Sequence, residues 1–562
     1  MAAPPISTMI MTRITAPPRR SSIIQFIGFP RAPRRRSDQF AESALVRRLS
    51  IPEFDEFLAF LSEPRFYKVL YMKILMICKG EYYEFMPVIA GAIKRQHGHS
   101  LSAMTFATPT ADLNKMRVFD EIHNLAGYLK QQVPGYDIDE CIQYLRELEL
   151  SDELANLNVM IYADRIIRQY PFERVLKILA GVCRFWDKLF REVRPDAVLG
   201  EVACASEWIA WSFARRSNIQ YLIPYPGPLP KRFNFVRSPA GGWDSAETLY
   251  RAAKERGLSA QQTRLAEEFV STFRAKRLRS AIHAPAFRSP MKFDRTTVAT
   301  LFQRAQRVPF RVRTYLEDGH FEVGSYNGTP PWEPVLKDLL RIVRHMVCET
   351  TMFETRITRA KKIYFPLHVQ PEFTIDVRAP FCTNQLALIE NIAKSVPSGY
   401  RLVVKDHPGM RGCRPLSYYR EIRKLYNAQL LSPSVDSHQI IQSSDAVVTI
   451  VGTTAWESIL YEKPVVAVGP LAYSFFDLIY NCRNVSDLPR LLSDAIRGFR
   501  PDRDLLLKFV WAMLESANHG EWHNPLATPS VLEQTNIDSI ARAIVREIEA
   551  GKDREVAALL PV

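Results

Sequence analysis

In the second half of the chain, short apolar runs alternate with segments of helical period. Residues 362–365, 400–405, 429–431, 446–451 and 464–468 are bounded by turn residues and read as buried parallel strands. Between them, 383–395, 415–425, 437–442 and 453–461 carry helical spacing, and none is much longer than a dozen residues. The alternation predicts a doubly wound sheet. The first half gives a sparser version. A strand at 73–78 leads into a helix at 84–96, helical patterns dominate 112–192, and strands at 197–200 and 219–223 flank a helix at 205–216. Residues 224–243 and 317–334 read as loops, 245–283, 295–316 and 332–358 as helices, and 503–517 and 535–549 as terminal helices. A further helix is expected at 51–71.

The expected organisation has four parts: a basic, largely disordered extension at 1–70, an α/β domain at 71–345, a second α/β domain at 346–500, and C-terminal helices at 501–562. The chain's 562 residues suit two domains with appendages, and its 47% hydrophobic and 24% charged content suits a soluble globular protein.

Charge is uneven. The net charge is +14, and residues 1–50 hold nine arginines against Asp38 and Glu42. The rest is a diffuse positive bias. It fits anionic substrates or an anionic membrane surface, and is too dispersed for a nucleic-acid footprint. Eight cysteines form no CxxC pair, so neither metal-ligand spacing nor a disulfide framework is expected. No apolar run approaches the ~18 residues of a bilayer span. The apolar stretch 21–29 is followed by PRAPRRR rather than a small-residue cleavage site, which argues against secretion and for a cytoplasmic protein. An organellar transit peptide, or a start assigned too far upstream of Met72, stays open for this region.

Ligands of open α/β sheets bind beyond the carboxyl ends of the strands. Three strand ends of the second half carry unusual polar residues there. After 362–365 come His368, Gln370 and Glu372 between prolines. Lys405 ends the next strand and His407 lies in the turn after it. After 446–451, Gly452, Thr453 and Thr454 open a helix carrying Glu457 one turn in. A helix N-terminus offers unpaired N–H groups and partial positive charge, glycine admits a phosphate to the backbone, and Glu457 could accept ribose hydroxyls. Structural readings stand beside these: an N-cap for Thr453, a tight turn for Gly452, a turn histidine for His407. In the first half, Glu201 lies just beyond a strand and is the candidate general base; a helix-start carboxylate is the alternative.

The ordered motifs PLHVQPE (366–372), VKDHPGMRG (404–412) and SPSVDSHQIIQSSDAVVTIVGTTAWESILYEKPVVAVG (432–469) resemble the bacterial capsule polysaccharide biosynthesis proteins, which include transferases using CMP-Kdo. The resemblance implies a GT-B-like architecture, two Rossmann-like domains facing a cleft, and a metal-independent glycosyltransferase without a cofactor. By this likeness, His407 and Lys405 contact the donor phosphate, Ser437, Thr453 and Thr454 cradle the nucleotide, and Glu457 holds its ribose. His368, Glu372 and Gly452 complete the candidate donor site, and Glu201 with His407 forms the candidate catalytic pair. Where the family carries Glu after the lysine, this chain has Asp406, a weaker candidate base. The implied partners are a nucleotide-sugar donor, a glycan or glycolipid acceptor and an anionic membrane surface at the inner face of the cytoplasmic membrane, with no nucleic acid. A sugar-nucleotide epimerase, a polyol-phosphate transferase and a non-catalytic capsule assembly or export partner are the competing readings.

Overall fold

Every residue of the run Lys73–Cys78 after the first is buried, as a central parallel strand requires. Its alternate side chains feed two cores: Leu75 and Ile77 lie on one face, Ile74, Met76 and Cys78 on the other. In this computed structural model, the described residues are 71–559 except 81, 108–112, 152–155, 278–307, 318–320, 322, 324–331 and 526–527. The expected extension at 1–70, most of the loop at 317–334 and much of the helix at 295–316 lie outside them.

The strands of the first half are β1 (Lys73–Cys78), β2 (Ser100–Thr105), β3 (Glu121–Asn124), β4 (Ala197–Leu199), β5 (Gln220–Tyr225) and β6 (Arg232–Val236). Those of the second are β7 (Lys361–Pro366), β8 (Tyr400–Lys405), β9 (Ala428–Leu431), β10 (Ala446–Thr449), β11 (Val465–Ala467) and β12 (Ile479–Asn481), and a short β13 (Asn518–His519) follows. They form two sheets, β13-β6-β5-β4-β1-β2-β3 and β12-β11-β10-β7-β8-β9. The second is parallel throughout. In the first, β1 to β5 run parallel, β6 runs antiparallel to β5, and β13 runs antiparallel to β6.

Counted within each half, both sheets have the strand order 3-2-1-4-5-6 of a Rossmann fold. The switch point of the first lies between β1 and β4, and that of the second between β7 and β10. With helices on both faces, the chain has the GT-B-like fold of two Rossmann-like halves.

Five strands escaped the hydrophobic pattern. β2 (SLSAMT) has two serines, β3 (EIHN) is a polar edge strand inside the stretch expected to be helical, and β6 (RFNFV) lies in the expected loop 224–243. β12 and β13 are three and two residues long. The stretch expected as one helix over 245–283 is two, Asp244–Arg256 and Ala260–Lys276, because Gly257 ends the first at φ 77°. The helix expected over 332–358 stops at Thr351.

The chain crosses between the halves more than once. Ile537, Ile540, Ile544 and Ile548 of the helix Gln534–Leu559 share a core with Phe85, Ile89 and Ile93 over the first sheet. Tyr250 and Phe273, which precede the second sheet, pack with Trp456, Phe476 and Phe509 beside it.

The halves also meet close to the strand ends. Asp164 accepts the Ala205 N–H at 3.1 Å, capping the helix that leaves the end of β4. Its neighbour Arg165 acts electrostatically on Glu372 and Asp376, in the segment that follows β7. Val377 lies in the core over the first sheet, and the Arg378 guanidinium sits 4.5 Å from the Tyr225 ring centroid at the end of β5. The carboxyl edges of the two sheets therefore face one another across this junction.

Candidate functional site

Strands β10, β7 and β8 are successive neighbours in the second sheet, so their carboxyl ends emerge side by side. At ~4.8 Å per strand, the outer two loops start roughly 10 Å apart. These are the loops that carry Gly452, His368 and His407.

Hydrogen bonds weld them together. The His368 imidazole Nε2 contacts the Val451 carbonyl at the end of β10. Leu367 N–H donates to the Lys405 carbonyl at 2.9 Å, joining the ends of β7 and β8. The guanidinium of Arg414 donates to the His368 carbonyl and, through Nε at 3.3 Å, to Asp406. Asp406 is fully buried and also accepts from the Tyr419 hydroxyl at 2.5 Å and from the His407 N–H at 2.7 Å. Asp406 is thus a structural pin, enclosed by Arg414, Tyr419 and the His407 N–H, and such burial argues against a role as base. Arg414 is the organising residue that sequence reasoning missed. Its signal was a lone arginine two residues beyond the quoted motif, and only the fold shows that it reaches back.

The Gly452 turn has a backbone conformation that glycine alone adopts readily. Its φ of 102° and ψ of −174° lie in a region essentially reserved for glycine, and it caps the helix Thr453–Leu460. Thr453 and Thr454 are the first two helical residues and are half-buried at its mouth. Tyr473 donates to the Gly452 carbonyl at 3.2 Å and fixes the turn from behind. Burial holds the His368 imidazole down to about 4, so the ring is neutral near neutral pH and its Nε2–H donates to Val451. His368 therefore shapes the turn and carries no charge for a phosphate.

His407 accepts the Gly409 N–H on Nδ1 at 3.0 Å. That bond matches the neutral tautomer with its proton on Nε2, making the ring a neutral hydrogen-bond donor rather than a fixed cation. The buried Lys405 places its Nζ 3.3 Å from the Asp406 carbonyl, beneath the same loop. Arg341, from the helix Glu333–Thr351, donates to the Gly409 and Arg411 carbonyls at 2.9 and 2.8 Å and holds the loop from outside.

The other candidates spread around this centre. Ser437 opens the helix Ser437–Ser443, which packs beside Thr453–Leu460, so both N-termini look out of the same sheet edge. Glu457 is buried in the second of these helices, within electrostatic reach of Tyr364, Tyr461 and Tyr473. Glu372 stands apart, in the junction beside Arg378 and Arg165, where burial raises its carboxyl above the usual range.

Glu201 belongs to the other sheet. It follows β4 at that sheet's switch point, and its Oε1 accepts from the Tyr82 hydroxyl at 2.5 Å. Beyond the end of β1, across the same switch point, Lys79 forms a 2.6 Å ion pair with the fully buried Glu207. Burial alone would lower the Lys79 ammonium, but Glu207 with Cys204 and Glu201 lifts it above its ordinary value. Tyr82, Lys79 and Glu207 were not singled out by the sequence. Among the described residues, no group of three His, Cys, Asp or Glu side chains is placed to hold a metal ion.

Residues 338–484 match the family model described as "Capsule polysaccharide biosynthesis protein", a stretch containing all six strands of the second sheet. Over 159 residues the chain is 27% identical to Protein FixF of Sinorhizobium fredii (strain NBRC 101917 / NGR234), covering 26% of this chain and 37% of that protein. Among solved structures, the beta Kdo 2,4 transferase KpsC of Thermosulfurimonas dismutans aligns at 11% identity and a TM-score of 0.34, over 62% of this chain and 87% of that one. Anabaena Alr3699/HepE in complex with UDP-glucose aligns at 9% identity and a TM-score of 0.28, over 83% and 99%. At these identities and scores the structural alignments speak for neither reaction nor ligand.

Proposed function

We propose that the chain is a glycosyltransferase that moves a sugar from a nucleotide-activated donor, with CMP-Kdo the first candidate, to a surface or capsular glycan or a lipid-linked acceptor. One observation carries the reading. A glycine-only turn at a helix N-terminus stands at the Rossmann switch point, bonded to His368 and two strands from the His407 loop.

In this reading the donor phosphate lies over the Gly452 turn. The N–H groups of Thr453 and Thr454 and the Nε2–H of His407 donate to its oxygens, Lys405 adds positive charge from below, and Glu457 takes the ribose. The acceptor hydroxyl attacks the anomeric carbon while the bond from that carbon to the phosphate oxygen breaks. Negative charge gathers on the departing phosphate, where donors fixed before the reaction stabilise it most. The acceptor proton passes to Glu201, aligned by Tyr82.

Mass-spectrometric screening of CMP- and UDP-sugars with purified protein and a glycolipid acceptor tests the reading. Donor-dependent extension of the acceptor supports it. Conversion of a donor without acceptor would assign an epimerase instead, and no nucleotide binding by folded protein would assign a non-catalytic partner.

A further inference from the structure

The helix Glu333–Thr351 has two faces with different tasks. On the inner face, Arg341 clamps the His407 loop, and the backbone passes so close to Gly412 that a Cβ there would lie 2.0 Å from the Arg341 carbonyl oxygen. On the outer side, Trp332, Leu336, Leu340, Val343 and Val347 are exposed by 66, 57, 45, 55 and 39%. At ~100° per residue these five positions fall within an arc of about 80°. The stripe continues onto the helix Val308–Glu317, whose Val312 and Leu316 are exposed and whose Tyr315 ring packs edge-on to Trp332. Arg344, Lys337 and Arg313 lie at its rim, with Glu333 paired to Lys337.

We infer that this stripe is the surface by which the protein lies on an anionic lipid bilayer, bringing the donor site to a lipid-linked acceptor. The inference rests on the transfer reading only for its purpose, since the contact itself is independent of it. Three observations favour lipid over other occupants. On the helix Glu333–Thr351 the strip is roughly 23 Å long and 10 Å wide, and the turn of Val312 and Leu316 adds roughly 10 Å of length, which together stay short of the ~800 Å² per partner that a stable dimer buries. Residues 278–307, which precede the helix Val308–Glu317 in the chain, hold six Arg or Lys against one Asp, so the neighbouring sequence is basic as the rim is. An apolar helix face with neighbouring basic residues supplies the two signals that interfacial binding combines.

The experiment is flotation of the full chain with phosphatidylcholine vesicles, with and without phosphatidylglycerol. Wild type is expected to float with the anionic vesicles. Leu336→Glu/Val343→Glu should lower its partition by about tenfold or more. Arg313→Glu/Arg344→Glu should lose only the preference for anionic lipid. Leu336→Gln/Val343→Gln, expected to weaken flotation in the same direction, serves if the glutamate pair melts early. Failure of wild type to float, or equal flotation of wild type and the apolar variants, overturns the inference; the latter gives the lipid contact to the basic N-terminal segment. A wild-type dimer that the variants dissociate in lipid-free light scattering also overturns it, in favour of a second copy. Calorimetry with CMP or UDP, run without lipid, reads the transfer proposal separately.

Discussion

His368 reaches across the switch point to the Val451 carbonyl, so the side chain following β7 fixes the residue before Gly452. The turn cannot relax without disturbing that contact. At Gly452 an added Cβ would meet the His368 ring at 3.6 Å, an ordinary van der Waals distance. Steric clash is therefore minor, and the penalty of Gly452→Ala is backbone strain at φ 102°, about 1–3 kcal/mol. We expect a stable but weakened protein and, at the proposed donor site, a nucleotide affinity lower by about tenfold or more, because the N–H groups of Thr453 and Thr454 move. Chemical denaturation with calorimetry checks both.

Arg414 joins the His368 and His407 loops from a buried position. Arg414→Ala leaves Asp406 buried with only Tyr419 and a backbone N–H, and removing one partner of a buried pair costs about 3–5 kcal/mol. Arg414→Lys should recover only part, because one ammonium cannot reproduce the fork to two acceptors. Tyr419→Phe should cost about 1–3 kcal/mol. The two losses should be non-additive in a double-mutant cycle; strict additivity would show that Asp406 does not couple them.

Glu201 and Tyr82 yield a kinetic prediction. Glu201→Gln keeps the shape of the pair and removes the proposed proton acceptor, so transfer should fall by about 100-fold or more while donor affinity holds. Tyr82→Phe removes only the aligning hydroxyl, and kcat should fall about tenfold with the donor KM unchanged. Full transfer by the glutamine variant would move the base elsewhere. Weakened donor binding in either variant would place both residues in the donor site.

Much of this architecture was written in the chain, for a physical reason. Stretches buried on both faces, such as Leu402–Val404 within Tyr400–Lys405 and Ala446–Val448 within Ala446–Thr449, must be apolar, so they and the loops at their ends stand out. Edge strands lack that constraint. Glu121–Asn124 is half exposed and polar, and Arg232–Val236, covered on its outer side only by the two-residue β13, mixes Arg232 and Asn234 with its apolar residues, so neither announced itself. The same limit hid part of the site. Lys79 with Glu207, and Arg414 with Asp406 and His368, are separated by 128, 8 and 46 residues, and a buried charge is recognisable only once its partner is known. Asp406, only a weaker candidate base in the sequence, would need an exposed carboxylate for that role, whereas its neighbours enclose it.

Acid sensitivity provides the last test. Burial pulls His368 down to about 4, and it does the same to His99 and His523. In the unfolded chain such a ring binds a proton near 6.5. Between that value and about 4, the unfolded state holds protons that the folded state refuses, so stability falls as pH falls through this window and is flat above it. Buried carboxyls act in the opposite sense, since the folded pKa values of Asp164, Glu372 and Asp376 are raised and they take up protons earlier than in the unfolded chain. The difference between wild type and one histidine variant cancels their effect. His368→Gln keeps a side-chain donor for Val451 and removes the titrating ring. Urea denaturation from pH 7.5 to 5 should therefore show a stability difference that moves in the variant's favour as pH drops, with a slope of at most about 1.4 kcal/mol per pH unit. A pH-independent difference would mean that burial leaves the proton affinity of the imidazole unchanged, and a difference moving in wild type's favour would mean a ring protonated in the folded protein; either result would contradict the buried, neutral ring.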